Sequence, residues 1–64
     1  MVLDNVRRIC AELGISIAEA CRRAGISRDT VMDWTGDHKP NGVNLIKMAK
    51  ALNVDPEELL KEEE

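Results

Sequence analysis

Residues 2–13 carry apolar side chains at the spacing of an amphipathic α-helix. On a wheel of 100° per residue these side chains fall within one stripe of about 120°. They are Val2, Leu3, Val6, Ile9, Cys10 and Leu13. Gly14 follows at the position of a helix C-terminal stop. The pattern therefore predicts a first helix over residues 2–13.

Two short helices are predicted next. Ser16 and Glu19 have the S-x-x-E spacing of a capping box, which predicts a second helix of about nine residues that ends at Gly25. Ser27 is a suitable N-cap for a third helix, and Gly36 marks its end. We therefore expect the third helix over about residues 28–35.

The segment "TGDHKPNG" is rich in turn-forming residues and predicts the longest loop. Either Asn41 or Asn44 then caps a fourth helix, whose apolar side chains at i, i+3, i+4 and i+7 are Leu45, Met48, Ala49 and Leu52. Asp55 is the predicted cap of a fifth helix, with Pro56 at its first position and Glu58 completing a D-x-x-E box. The whole pattern indicates one compact all-α domain of five helices over residues 1–64, with a short acidic tail at 61–64.

Composition agrees with short helices and leaves a nucleic-acid partner open. The chain has 64 residues and one aromatic side chain, Trp34, so aliphatic residues must build the core. A net charge of −3 argues against DNA binding. However, five of the twelve acidic residues lie in the last eight positions, and residues 1–56 hold eight basic and seven acidic groups. We interpret the tail as a solvated helix end, the alternative being a decoy that competes with DNA for the basic surface.

Several function classes are disfavoured. No apolar run approaches the roughly 18 residues of a membrane span, and we expect a cytoplasmic protein without membrane contact. Cys10 and Cys21 lack CxxC spacing, so we expect reduced core thiols rather than metal ligands or disulfide partners. With His38 as the one histidine, the sequence supplies no set of nucleophile, base and oxyanion donor. We expect no enzyme activity, no cofactor, no metal and no small-molecule substrate.

Three residues have the relative spacing of a helix-turn-helix. Cys21 is small, Gly25 follows four residues later, and the β-branched Val31 lies six beyond that. Two helices cross closely only at a small residue, their turn needs a residue that tolerates positive φ, and an apolar side chain must lock the second helix. The remaining inward positions are Ala20, Ala24, Ile26 and Trp34.

The sequence resembles the phage-repressor and Cro (Xre) family of helix-turn-helix domains over residues 5 to about 60. The matching stretches are "NVRRICAELGIS", "AGISRDTVMDW", "KP", "LIKMAKALNV" and "PEELL". The resemblance implies the lambda-repressor-like fold and sequence-specific binding of duplex DNA, usually by a homodimer on a palindromic operator. It also implies a transcription regulator, such as a repressor, a Cro-like regulator or an antitoxin, of bacterial, phage or mobile-element origin.

The resemblance also implies where contacts lie. The third helix enters the major groove, and its candidate base contacts are Arg28, Asp29, Met32 and Asp33. Phosphates are held by the start of the second helix and by the loop before the fourth; the candidates are Ser16, Ile17, Thr30, Lys39, Asn41 and Asn44. We expect an apolar dimer surface near the fifth helix, larger than so short a helix can bury within one subunit, formed by Val54, Pro56, Leu59 and Leu60. Met32, expected to be exposed, suits a thymine methyl or a protein partner equally.

The sequence departs from the family pattern in three places. Ile17 stands where relatives commonly have a polar residue, the loop from Trp34 to Pro40 is one residue short, and two aspartates occupy the base-contacting face. Asp29 lies in the first turn of its helix, where the dipole favours a carboxylate by about 0.3–1 kcal/mol; the alternative is a base contact. These departures concern the DNA contacts rather than the fold.

Asp33 cannot be explained in the same way as Asp29. It lies toward the C-terminal end of the predicted third helix, where the helix dipole disfavours a negative charge. The good base partner of a carboxylate in the major groove is the exocyclic amine of cytosine. Asp33 therefore contacts cytosine, or this face binds a basic protein; a role in orienting Arg28 is disfavoured by their i+5 spacing. A protein-interaction module with an acidic third helix is accordingly the alternative function.

Overall fold

Five α-helices and no strand make up residues 1–61, the part of the chain that the computed structural model describes. The helices are α1 (Val2–Leu13), α2 (Ile17–Ala24), α3 (Arg28–Met32), α4 (Gly42–Leu52) and α5 (Pro56–Leu60). The predicted all-α, five-helix class is confirmed. Most of the acidic tail, residues 62–64, lies outside the described residues.

A side-chain oxygen caps each of α2, α3 and α4. The oxygens of Ser16, Ser27 and Asn41 accept the N–H of the residue three positions later at 3.0, 3.2 and 2.8 Å. Of the two candidates for α4, Asn41 is therefore the cap, and Asn44 donates to it. Each cap satisfies a backbone N–H that the first helical turn leaves without a partner.

The cap of α5 differs from the prediction. Pro56 occupies the start of the helix as expected, but the Asp55 carboxylate makes no capping hydrogen bond. The N–H of Glu58 binds the backbone carbonyl oxygen of Asp55 instead, at 2.9 Å. The predicted D-x-x-E box is therefore not formed, because a backbone oxygen already satisfies that donor.

α3 is shorter than the predicted span of residues 28–35 and ends at Met32. The N–H of Trp34 binds the carbonyl of Val31 at 3.1 Å, a three-residue spacing tighter than that of an α-helix. Trp34 is 3% exposed, and its carbonyl oxygen accepts the N–H of Leu3 at 3.1 Å. Burial of Trp34 against α1 therefore turns the chain out of the helix four residues before Gly36.

The helix-turn-helix is formed by α2, residues 25–27 and α3. Gly25 has φ 70°, a left-handed conformation that glycine adopts without steric cost. Cys21 on α2 and Val31 on α3 are both buried, as predicted. The spacing of these residue types therefore located the motif correctly.

The core lies between α4 and the helices packed around it. α2 packs mainly on α4, and α5 packs against both α1 and α4. The largest fully buried side chains are Met48, Leu52, Leu59, Val6 and Val31. Leu13, expected on the buried stripe of α1, is 49% exposed because the last turn of that helix extends beyond the core. None of the helices in residues 1–61 has the length and apolar composition needed to cross a membrane.

Asn5 is a buried polar residue that the apolar pattern did not predict. It is 2% exposed, and its Nδ2 donates to the carbonyl oxygens of Leu59 at 2.8 Å and Lys61 at 2.6 Å. These carbonyls lie at the C-terminal end of α5, where helical partners are missing. Asn5 therefore joins α1 to the end of the last helix.

Candidate nucleic-acid interface

An open cleft lies between α3 and the segment that leads to α4. Its lining residues are Asp29, Thr30, Asp33, Trp34, His38, Lys39, Pro40, Asn41 and Asn44. They include six of the ten predicted DNA-contacting residues, namely Asp29, Thr30, Asp33, Lys39, Asn41 and Asn44. Outside this lining are Arg28, Met32, Ser16 and Ile17. The structure thus joins the predicted base-contacting helix to most of the predicted phosphate-contacting residues.

The segment between α3 and α4 is held against the start of α1. The N–H of Gly36 donates to the sulfur of Met1 at 3.0 Å, close to the bond between Leu3 and Trp34. A tight turn follows, in which the N–H of His38 binds the carbonyl oxygen of Thr35 at 2.9 Å. The position of His38 and Lys39 therefore depends on α1 as well as on the loop sequence.

Asp33 faces His38 across this turn. The distance from Asp33 Oδ2 to His38 Nδ1 is 3.4 Å, and the two side chains are 73% and 69% exposed. Sequence reasoning considered Arg28 as a partner of Asp33 and missed His38. The two residues lie five positions apart, and only the early end of α3 brings them together.

Asp29 has a simpler environment. It is exposed in the first turn of α3, and its carboxylate makes no hydrogen bond or ion pair within residues 1–61. Its carboxylate lies where the unpaired N–H groups of the helix favour a negative charge. The structural setting therefore agrees with the helix-end interpretation of Asp29.

Two predicted phosphate-contacting oxygens already have partners within the protein. The Ser16 hydroxyl accepts the N–H of Glu19 at 3.0 Å, and the Thr30 hydroxyl lies 2.7 Å from that of Ser27. Lys39 is exposed and makes no ion pair within residues 1–61. Lys39 is therefore the candidate with a charged donor still available to a phosphate.

Two predicted contact residues use their side chains in packing. Ile17 and Met32 are half-buried and pack against the hydrophobic core. The expectation that Met32 is exposed is wrong, because the short α3 lies close to the core. For Ile17, the backbone N–H at the start of α2 remains the group suited to an anion.

Arg22 and Arg23 bind the carboxylate of Glu19. Arg22 Nε lies 3.0 Å from Oε1, and Arg23 Nε lies 2.8 Å from Oε2. The hydrogen bonds from Arg22 and then Arg23 lower the pKa of Glu19 from 4.5 to about 2. Glu19 therefore does not complete the reciprocal half of the predicted capping box, and both arginines have a partner other than DNA.

The pH dependence of this cluster gives a prediction. Because the pKa of Glu19 is lower in the folded chain, its contribution to stability is present above about pH 4.5 and is lost as pH falls toward about 2. Glu19→Gln should reduce the acid sensitivity of thermal unfolding in that window, with a small effect because the cluster is solvent-screened. Circular dichroism melts of both proteins test this. Equal acid sensitivity, or an NMR titration of Glu19 near 4.5, contradicts it.

The two cysteines are buried free thiols. Burial raises the pKa of both thiols, and the positive charge of Arg28 opposes this in Cys21. Both thiols are thereby kept in the protonated form, which is a poor nucleophile and a poor metal ligand. Residues 1–61 contain no cluster of histidine, cysteine and carboxylate side chains suited to a metal ion.

The predicted dimer surface is smaller than expected. Leu59 is completely buried within the chain, so its assignment to that surface is wrong. Val54 and Pro56 are half-buried, and Leu60 is 43% exposed. Contacts with α1 and α4 cover the inward side of α5, which leaves Leu60 as the main apolar side chain available there.

Comparison with known proteins identified one family. Residues 5–63 match the model of a family described as the Cro/C1-type HTH DNA-binding domain. No curated protein and no solved structure matched the chain.

Proposed function

We propose that this chain, which belongs to the family of Cro/C1-type helix-turn-helix DNA-binding domains, recognises a specific duplex sequence through α3 as a repressor, a Cro-like regulator or an antitoxin. Family membership supports a DNA-binding transcription regulator. The proposal of sequence-specific recognition through α3 rests on the cleft beside this helix, in which six of the predicted contact residues lie together.

The proposed DNA contacts are of two kinds, those with bases and those with phosphates. Arg28 and Asp33, exposed at the two ends of α3, face the bases, and the partly buried Met32 supplies an apolar edge. Asp29 acts at the start of α3, where its carboxylate stabilises the helix. Lys39 and the amides of Asn41 and Asn44 bind phosphates, as do the first N–H groups of α2 beyond Ser16. Phosphate contacts set position and affinity, whereas base contacts set sequence preference.

Selection of bound duplexes from a random pool tests the proposed function. We expect enrichment of a palindromic sequence, because the family resemblance points to a two-fold dimer on DNA. Absence of binding to every duplex, even at low salt, would reject the proposal.

The second candidate function is that of a protein-binding module, which is favoured by the two exposed carboxylates of Asp29 and Asp33. Binding of a basic protein without any enriched duplex would establish that alternative.

Lys39 gives a direct prediction for phosphate binding. Each neutralised phosphate contributes about 0.9 to the slope of log affinity against log salt. Lys39→Ala should therefore weaken binding to all sequences alike and reduce the slope by about that amount. Lys47→Ala is the matched control, because Lys47 is an exposed lysine of α4 outside the cleft. Equal slopes for the two variants in salt titrations would show that Lys39 does not bind phosphate.

We further propose that the chain binds DNA as a homodimer through the outer side of α5, where Leu60 is exposed beside Val54 and Pro56. Leu60→Glu should cost about 1 kcal/mol or more of affinity on a duplex with two half-sites and leave single half-site binding unchanged. Ile46→Glu is the control, because Ile46 is 48% exposed on α4. Loss of cooperativity in Ile46→Glu, with none in Leu60→Glu, moves the dimer surface to α4.

A further inference from the structure

His38 is placed at the edge of the candidate DNA-binding face by two contacts. Its backbone N–H binds Thr35, and its Nδ1 lies 3.4 Å from the Asp33 carboxylate. Its other ring nitrogen, Nε2, makes no hydrogen bond within residues 1–61, and the side chain is 69% exposed. Lys39, the strongest phosphate candidate, is the next residue in the chain.

The charge of this imidazole decides what it can offer DNA. A neutral imidazole that donates from Nδ1 to Asp33 has only an acceptor at Nε2, and an acceptor cannot bind a phosphate oxygen. The protonated imidazole donates from both nitrogens. It can therefore neutralise the Asp33 carboxylate, which otherwise repels nearby phosphates, and donate to DNA at the same time.

Several other ionisable groups lie in the same part of the molecule as His38. Asp29, Asp33 and Lys39 line the same cleft as His38, and Asp37 precedes it in the chain. Met1, whose sulfur accepts the N–H of Gly36, carries an amino group 3.9 Å from the Asp4 carboxylate. Carboxylates and lysines ordinarily change charge outside the interval from about pH 5 to 8. An α-amino group ordinarily changes charge near the top of that interval, so a comparison at or below about pH 7 reports mainly on histidine.

We propose that the Asp33–His38 pair makes DNA binding proton-dependent, with His38 as a further DNA-contacting residue whose charged form favours the complex. This inference rests on the proposed function, because it requires that α3 and the following loop face DNA. Asp33 then acts on DNA partly as the residue that positions the imidazole.

The test compares wild type with His38→Gln on the duplex enriched by wild type, at about pH 5.5 and about pH 7.0. Wild type should bind about two- to fivefold more tightly at the lower pH, the effect of one exposed charge contact. His38→Gln, which keeps a neutral polar side chain, should bind equally at both. On duplexes that lack the enriched sequence, where no base contact is involved, Asp33→Asn should bind more tightly than wild type at the higher pH, because the substitution removes an uncompensated negative charge.

A second measurement on the wild-type chain keeps the proposal testable if a variant misfolds. The midpoint of the His38 imidazole NMR titration should rise when the duplex is added, because DNA favours the protonated form. An unchanged midpoint, or the same pH dependence in His38→Gln as in wild type, overturns the inference while leaving DNA binding intact. Failure of wild type to enrich any duplex rejects the proposed function, and this inference with it.

Discussion

Asn5→Ala is expected to lower the free energy of unfolding by about 1–3 kcal/mol, because it leaves two carbonyl groups at the end of α5 without their donor. The Asn5 amide donates to Leu59 and Lys61 at 2.8 and 2.6 Å from a nearly fully buried position. Denaturant unfolding followed by circular dichroism measures the change. In so small a domain, such a loss is a large part of the total stability.

The control for Asn5 is Arg7→Ala, an exposed position two residues further along α1. A substitution there should change stability by no more than about 0.5 kcal/mol. We also expect Asn5→Ala to weaken binding to a duplex with two half-sites, because the end of α5 carries Leu60. Equal unfolding midpoints for Asn5→Ala and Arg7→Ala contradict the role assigned to these hydrogen bonds.

Asp33→Ala should relax the preference at one base pair per half-site by about 1–3 kcal/mol, if the carboxylate accepts a hydrogen bond from a cytosine amine. One oxygen, Oδ2, faces His38, which leaves the other for the base. Non-specific affinity should rise, because a negative charge leaves a surface that faces phosphates. Affinities of wild type and variant for duplexes varied at each operator position test both expectations.

Asp29→Ala is the matched control for Asp33→Ala. It removes the same charge from the same cleft, but at the N-terminal end of α3, where the carboxylate stabilises the helix by about 0.3–1 kcal/mol. We expect it to lower stability and to leave base preference unchanged. If Asp33→Ala keeps the wild-type preference at every position, the cytosine contact is absent. Uniformly tighter binding then assigns Asp33 to suppression of non-specific association, and weaker binding to a basic protein instead supports the interaction module.

The helices and the helix-turn-helix could be predicted because their determinants are local in sequence. Caps such as Ser16, Ser27 and Asn41 act on the residue three positions later, and apolar periodicity acts over one or two turns. The spacing of Cys21, Gly25 and Val31 was sufficient to predict the helix-turn-helix. The sequence also predicted most of the contact residues that line the cleft, because they lie on α3 and in the adjoining loop.

Other features depended on contacts between residues far apart in the chain, which no local pattern encodes. The early end of α3 follows from burial of Trp34 and its bond to Leu3, and that end in turn places His38 beside Asp33. Asn5 lies within a predicted helix as an ordinary polar residue, yet its partners are 54 and 56 positions away. The sequence by itself thus determined which segments are helical and which of them form the motif, because those preferences are satisfied within a few residues. Tertiary structure alone decided where α3 stops, which polar groups pair and which apolar side chains stay exposed, because packing of α1, α4 and α5 sets each of these together.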